Sequence, residues 1–161
     1  MSRIPVLIGV LAMVGLVAQG ATQVRELKWT DLLPPGQLAP PQLVDHTRIP
    51  TFDDFPYTAV AETVPELEGQ VVKLPGFVVP LDVAGDLVAS FLLVPYFGAC
   101  IHQPPPPPNQ IVYVEFAEPV ELTSMYDPVW VTGTLGLDGH FSNLAHAGYS
   151  MQGQAVEKYR Y

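Results

Sequence analysis

The sequence predicts an all-β protein: a small five-stranded OB-like barrel with an extended, proline-rich N-terminal arm. Three observations lead there. After Glu68-Gly69 the chain turns into short β-rich runs separated by turn residues at regular spacing, the pattern of a small barrel or sandwich. The first run is long and is interrupted by Pro75-Gly76, a pair that reads as a sharp bend or bulge inside one strand. Two segments, Gly69 to Val78 and Pro128 to Leu135, also echo each other, each carrying a β-rich run to a glycine where a strand must curl. A long, strongly coiled first strand that pairs in both halves of the sheet is what an OB barrel requires, and a β-sandwich is the alternative.

Residues 1–20 read as a signal peptide. Met1-Ser2-Arg3 precedes an apolar run from Ile4 to Val17, and Ala18-Gln19-Gly20 supplies a small-x-small cleavage site, with the cut expected before Ala21. The run is shorter than the ~20 residues that span a bilayer, and Pro5 sits near its start, which weighs against an uncleaved anchor helix. No cysteine lies near the leader to carry a lipid. The expected product is periplasmic, with no stable membrane anchor after cleavage.

Loss of Arg3 takes the seven Lys and Arg to six against sixteen Asp and Glu, so the mature chain is more acidic than the full-length net charge of -9. That excess repels polyanions, and no nucleic acid is expected as a partner. It suits a cation or a basic partner, although acidity also serves solubility alone.

Residues 21–68 form the arm. Only Arg25 to Leu33 shows a short, weakly helical pattern. Prolines at 34, 35, 40, 41, 50, 56 and 65 then oppose a long helix or a central strand, because each removes a backbone donor. Trp29, Leu32, Leu33, Phe52, Phe55 and Tyr57 are apolar anchors expected to hold the arm against the barrel, with disorder as the alternative.

The barrel domain, residues 69–161, takes five strands. The first spans Gln70 to Leu81 and the second Leu87 to Val94. The third, Ile111 to Phe116, alternates Val112, Val114 and Phe116 with Ile111, Tyr113 and Glu115. Ala117 to Asp127 reads as a loop. The fourth strand spans Pro128 to Leu137, with Val129 and Val131 on one face and Trp130 and Thr132 on the other, and the fifth Gly148 to Tyr159.

Between the second and third strands lies the one stretch unlike generic β-protein. Pro95-Tyr96-Phe97-Gly98-Ala99-Cys100-Ile101-His102-Gln103 runs into Pro104 to Pro108 and then Asn109-Gln110. Five consecutive prolines fix φ near the polyproline value and form a short, stiff rod. Cys100, the single cysteine, has no internal disulfide partner in an oxidising compartment, so it is buried, metal-bound or paired with another molecule.

A thiolate and an imidazole two residues apart are ligands that zinc prefers, and other transition metals accept them. Two ligands do not make a site, since a tetrahedral ion takes about four. His140, after an Asp138-Gly139 turn, and His146, before the fifth strand, are the candidates to complete it; His46 reaches it only if the arm crosses the motif. The bland reading is a small buried hydrophobe next to a surface histidine. A cysteine nucleophile is another reading, with His140 or His146 as base and Asn109 or Gln110 as orienting or oxyanion donor. A third makes the rod a docking element against Tyr96, Phe97, Tyr113 and Trp130. No phosphate loop, dinucleotide fingerprint or paired catalytic carboxylates stand out.

The run Leu93 to His102 with its prolines and Asn109-Gln110 resembles the bacterial family called domain of unknown function 3299. Trp29 to Pro34, Leu67 to Leu81, Val129 to Leu135 and Ala147-Gly148-Tyr149 extend the resemblance over nearly the whole mature chain. One departure is Gln103, where relatives are expected to carry a small apolar residue. The resemblance implies an exported or lipid-anchored protein of Gram-negative bacteria, often associated with an ABC transporter of the lipoprotein-release or macrolide-export type, some such systems being linked to zinc acquisition. It points to Cys100 and His102. The expectation is a zinc-binding accessory protein with an envelope protein or ABC-transporter component as partner. A metal-free envelope adaptor and a cysteine-dependent enzyme are the alternatives.

Overall fold

The computed structural model describes residues 23–37, 62–100, 106–122 and 126–160. The expected leader, the anchors Phe52, Phe55 and Tyr57, and His46, His102 and Gln103 lie outside them. Among the described residues there are eight strands: β1 (Arg25–Glu26), β2 (Val71–Ala84), β3 (Leu87–Val94), β4 (Val112–Glu121), β5 (Val129–Gly136), β6 (His140–Phe141), β7 (His146–Ala147) and β8 (Tyr149–Lys158). The main sheet runs β1-β2-β3-β4-β8-β5, and β2 also pairs with β5, which closes a five-stranded mixed barrel of OB-like form. The β4–β8 pair is parallel; the other barrel pairs are antiparallel.

The bend read from Pro75-Gly76 is where β2 changes partner. Val71 to Gly76 pair with Thr134 to Val129 of β5, and Phe77 to Ala84 pair with Val94 to Leu87 of β3. The two echoing segments are thus neighbours in the barrel. Gly76 is required by proximity: a Cβ there would lie 2.8 Å from the Val94 carbonyl oxygen and 2.9 Å from Leu93 Cγ. Only a residue without a side chain lets β3 meet the strand at its corner.

Period-two alternation supplies the interior. Val72, Leu74 and Val78 of β2, Phe91 and Leu93 of β3, Val112, Val114 and Phe116 of β4, Val129, Val131 and Leu135 of β5, and Tyr149 and Met151 of β8 form one buried cluster. Burying each such aliphatic or aromatic side chain contributes about 1.5–3 kcal/mol over leaving it in water.

The arm caps this core. β1 pairs in parallel with β2 through Arg25–Val72 and Glu26–Lys73, and the pattern from Arg25 to Leu33 resolves into that two-residue strand and one 3-10 turn, Trp29–Leu32. Leu27 and Leu32 are fully buried in the barrel cluster. The Trp29 indole N–H donates to the Pro75 carbonyl at 2.7 Å, which ties the arm to the corner of β2. A second 3-10 turn, Pro65–Leu67, brings Leu67 into the same core.

Two features differ from the sequence reading. Residues 117–121, read as loop, continue β4, where Val120 pairs with Val88 and Glu121 with Leu87. The β6–β7 hairpin was also unexpected. It is held by His140–Ala147 and Phe141–His146 pairs, and Ser142 closes its turn, its Oγ accepting from the Leu144 and Ala145 N–H groups and donating to the Ala145 carbonyl. Among the described residues no helix is long and apolar enough to cross a membrane.

A candidate thiol site on the outer face of the barrel

The outward side chains of β2, β3 and β4 do not face water where the motif crosses them. Val79, Leu92, Val94 and Ile111 are buried in a second cluster with Ala99 and Ala147. Phe77, Leu81, Tyr96, Cys100, Tyr113 and Ala145 pack around it. The motif loop supplies Tyr96, Ala99 and Cys100, and the segment with the β6–β7 hairpin supplies Ala145 and Ala147. Together they turn this side of the barrel into a second core.

The loop reaches that position through left-handed backbone. Gly98 has φ 81°, as a glycine readily does, and Cys100 has φ 66°. Among the described residues Cys100 is the one non-glycine with positive φ. An L-residue held there costs about 1–2 kcal/mol, which the packing of the loop must offset.

Cys100 is half-buried and makes no disulfide. Burial pushes its thiol up to about 11, because removing water penalises the thiolate. Tyr96 is pushed up to about 12, first by burial and then by the charge of the Cys100 thiolate, which places the two groups side by side. At neutral pH the thiol carries its proton.

The two expected imidazoles lie on the two strands of the β6–β7 hairpin and on its opposite faces: His140 is paired with buried Ala147, and His146 with exposed Phe141. His140 lies flat on the Tyr113 ring, with centroids 3.6 Å apart and planes within 6°, and Tyr113 packs against the cluster that holds Cys100. His146 lies flat on the Phe141 ring at 3.8 Å and 11°, and its neighbour Ala147 is fully buried in that cluster. Stacking occupies the ring faces and leaves the ring nitrogens, whose hydrogen-bonding directions lie in the ring plane. Among the described residues, no three His, Cys, Asp or Glu side chains gather into a group that could hold a metal ion. The described residues therefore bring His140 beside the cluster against which Cys100 packs, turn His146 to the other face of the hairpin, and form no completed coordination sphere.

Asn109 and Gln110, weighed as orienting or oxyanion donors, are engaged elsewhere. Asn109 is fully buried, and its Nδ2 donates to Gln37 Oε1 at 3.0 Å and to the Glu62 carbonyl at 2.9 Å. Gln110 Nε2 donates to the Trp29 carbonyl at 2.9 Å and the Asn109 carbonyl at 3.0 Å. Both amides fasten the arm. Both are buried in a 3-10 turn before β4, and burial obliges an amide to find hydrogen-bond partners.

These features define a class: an OB-like barrel, capped by its own N-terminal arm, whose outer face is covered by a proline-stiffened loop bearing one thiol. The model of the family described as "Protein of unknown function (DUF3299)" matches residues 29–158. The chain belongs to that family. It is similar to a DUF3299 family protein of Pseudomonas aeruginosa PAO1, known from a crystal structure, with 43% sequence identity and a TM-score of 0.73 over 86% of this chain and 98% of that one. No curated protein matches the chain.

Proposed function

We propose that this is an exported, periplasmic metal-handling protein that takes zinc through the Cys100 thiolate and the His102 imidazole, as an accessory to an ABC-transporter or related envelope system. The observation that carries the reading is the left-handed backbone at Cys100, a strained presentation of the only thiol in the chain. Strain of this kind clusters at ligand-binding positions. His102 follows two residues later in sequence, and a thiolate with an imidazole suits a borderline-soft ion. His140, stacked beside the cluster that packs Cys100 with its ring nitrogens unblocked, and then His146, on the other face of the same hairpin, are the candidates to complete the set.

A thiol raised to about 11 must lose its proton to the ion, so uptake of zinc releases a proton and tightens as pH rises. The raised thiol also ranks cysteine-dependent catalysis last, because the thiolate is the nucleophile. The metal-free adaptor remains the second reading. Phe97 is about half exposed, meets Phe77 edge-on at 5.9 Å, and lies 6.2 Å from the Tyr126 ring, an aromatic ridge accessible to a partner.

Elemental analysis after reloading with zinc under reducing conditions tests the proposal. One ion per wild-type chain, lost in Cys100→Ser and weakened in His102→Ala, is expected. A reloaded wild type without stoichiometric metal overturns it.

A further inference from the structure

The Cys100 loop is not anchored only by its own cluster. At its C-terminal end Pro107 holds polyproline-like angles, φ -54° and ψ 150°, and the 3-10 turn Pro108–Gln110 follows. The Pro108 carbonyl accepts from the Gly148 N–H at 2.6 Å, which fixes this turn to the bend between β7, which ends at Ala147, and β8, which starts at Tyr149. Ile111, the next residue, is fully buried in the cluster against which Cys100 packs. Rigid covalent and packed connections thus run from Asn109 to the surroundings of the thiol on two routes, through Ile111 and through Gly148-Ala147.

On its other side Asn109 faces the arm. Its single amide nitrogen divides its two protons between Gln37 and Glu62, which lie far apart along the arm and meet at this one side chain. Among the described residues, Asn109 Oδ1 is buried without a hydrogen-bond partner. An amide that leaves its own acceptor unsatisfied while spending both donors on the arm is placed for the arm's sake, since a buried unpaired acceptor is costly.

We infer that Asn109 is a positioning residue that couples the arm to the Cys100 loop, so that contact between the arm and Asn109 sets how far the thiol is exposed. Undocking Gln37 and Glu62 loosens the Pro108–Gln110 turn, and the packing of Ile111 and Ala147 against Cys100 loosens with it. The inference goes beyond the metal reading and does not depend on it, because the coupling belongs to the metal-free chain.

The test is the rate of Cys100 alkylation by iodoacetamide at pH 8 with a chelator present, under conditions where global unfolding is negligible. Gln37 is exposed at the surface, so Gln37→Ala folds even if Asn109→Ala does not. Each substitution is expected to accelerate alkylation about fivefold, the factor that one net hydrogen bond represents. The double variant should be no faster than the faster single one, because both remove the same coupling. His102→Ala, measured alongside for zinc uptake, keeps the two ideas apart: coupling with no zinc uptake leaves this inference standing and removes the metal reading. An unchanged rate in Gln37→Ala, or fully additive effects in the double variant, overturns the inference, as does acceleration that only follows the loss of global stability.

Discussion

The Tyr149 hydroxyl donates to the Leu32 carbonyl at 2.8 Å, across 117 positions of sequence. The same oxygen accepts from the Val64 N–H at 2.8 Å. One phenol on the last barrel strand therefore joins the early part of the arm to its late part over the mouth of the barrel. Asn109 repeats the arrangement a few residues away with Gln37 and Glu62.

Tyr149→Phe keeps the ring in the core and removes both bonds. The Leu32 carbonyl and the Val64 N–H are left without this partner, and the cost expected is about 1–3 kcal/mol. Urea denaturation measures it, and a midpoint within error of wild type contradicts the role given to the hydroxyl.

Gly148→Ala is expected to be at least as damaging without removing any side-chain interaction. A Cβ there would sit 2.9 Å from the Pro108 carbonyl oxygen and 3.1 Å from the Asn109 nitrogen, both backbone atoms that cannot swing aside. Overpacking of this kind costs about 1–3 kcal/mol. Thermal melts compared with Ala147→Gly, which opens space at the neighbouring position, separate crowding from cavity formation.

Stability should fall at alkaline pH in part through Cys100. Its folded thiol titrates at about 11, whereas an unfolded cysteine titrates near ~8.5. Between those values the unfolded chain has released its proton and the folded chain has not, so the contribution is complete below the lower value and disappears as pH rises towards the higher. Cys100→Ala should flatten the decline between pH 8.5 and 11, read from urea midpoints at several pH values. An equal slope in both proteins contradicts the burial of the thiol.

Lys73→Ala should change little. The ammonium pairs with Glu157 and lies 5.4 Å from the centre of the Trp130 ring, which itself stacks on Tyr159 at 5.3 Å. The site is solvent-accessible, so the loss expected is about 1 kcal/mol or less and shrinks with added salt. A larger, salt-independent loss measured in denaturation would mean that Lys73 contributes through packing of its stem.

The barrel was legible because its strands alternate cleanly and because Pro75-Gly76 marks the corner of β2. β3 follows the reading residue for residue, Leu87 to Val94. The β6–β7 hairpin escaped because two residues per strand leave no periodicity to detect. Burial of the outer face had a signal, the unbroken apolar run Phe91-Leu92-Leu93-Val94, which a strand shows when both of its faces are covered. What covers it could not be read, since Ala99 and Cys100 on one side and Ala145 and Ala147 on the other come from segments that only the folded topology brings together. The candidate site was legible only as residue types: His140 stacks beside the cluster against which Cys100 packs, whereas His146 turns to the other face of its hairpin with exposed Phe141. Their aromatic partners were not, because Tyr113 and His140 belong to segments joined only by the closed topology.

That topology also orders events in time. β8, last along the chain, lies between β4 and β5, so neither can complete its ladder until residues 149–158 exist. A nascent or truncated chain ending before Tyr149 would hold two open sheet edges and an arm without its pin. Such edges recruit other chains. With contacts this distant in sequence, closure is expected to be the slow, late step of folding, and the interval before it the period of greatest exposure to aggregation.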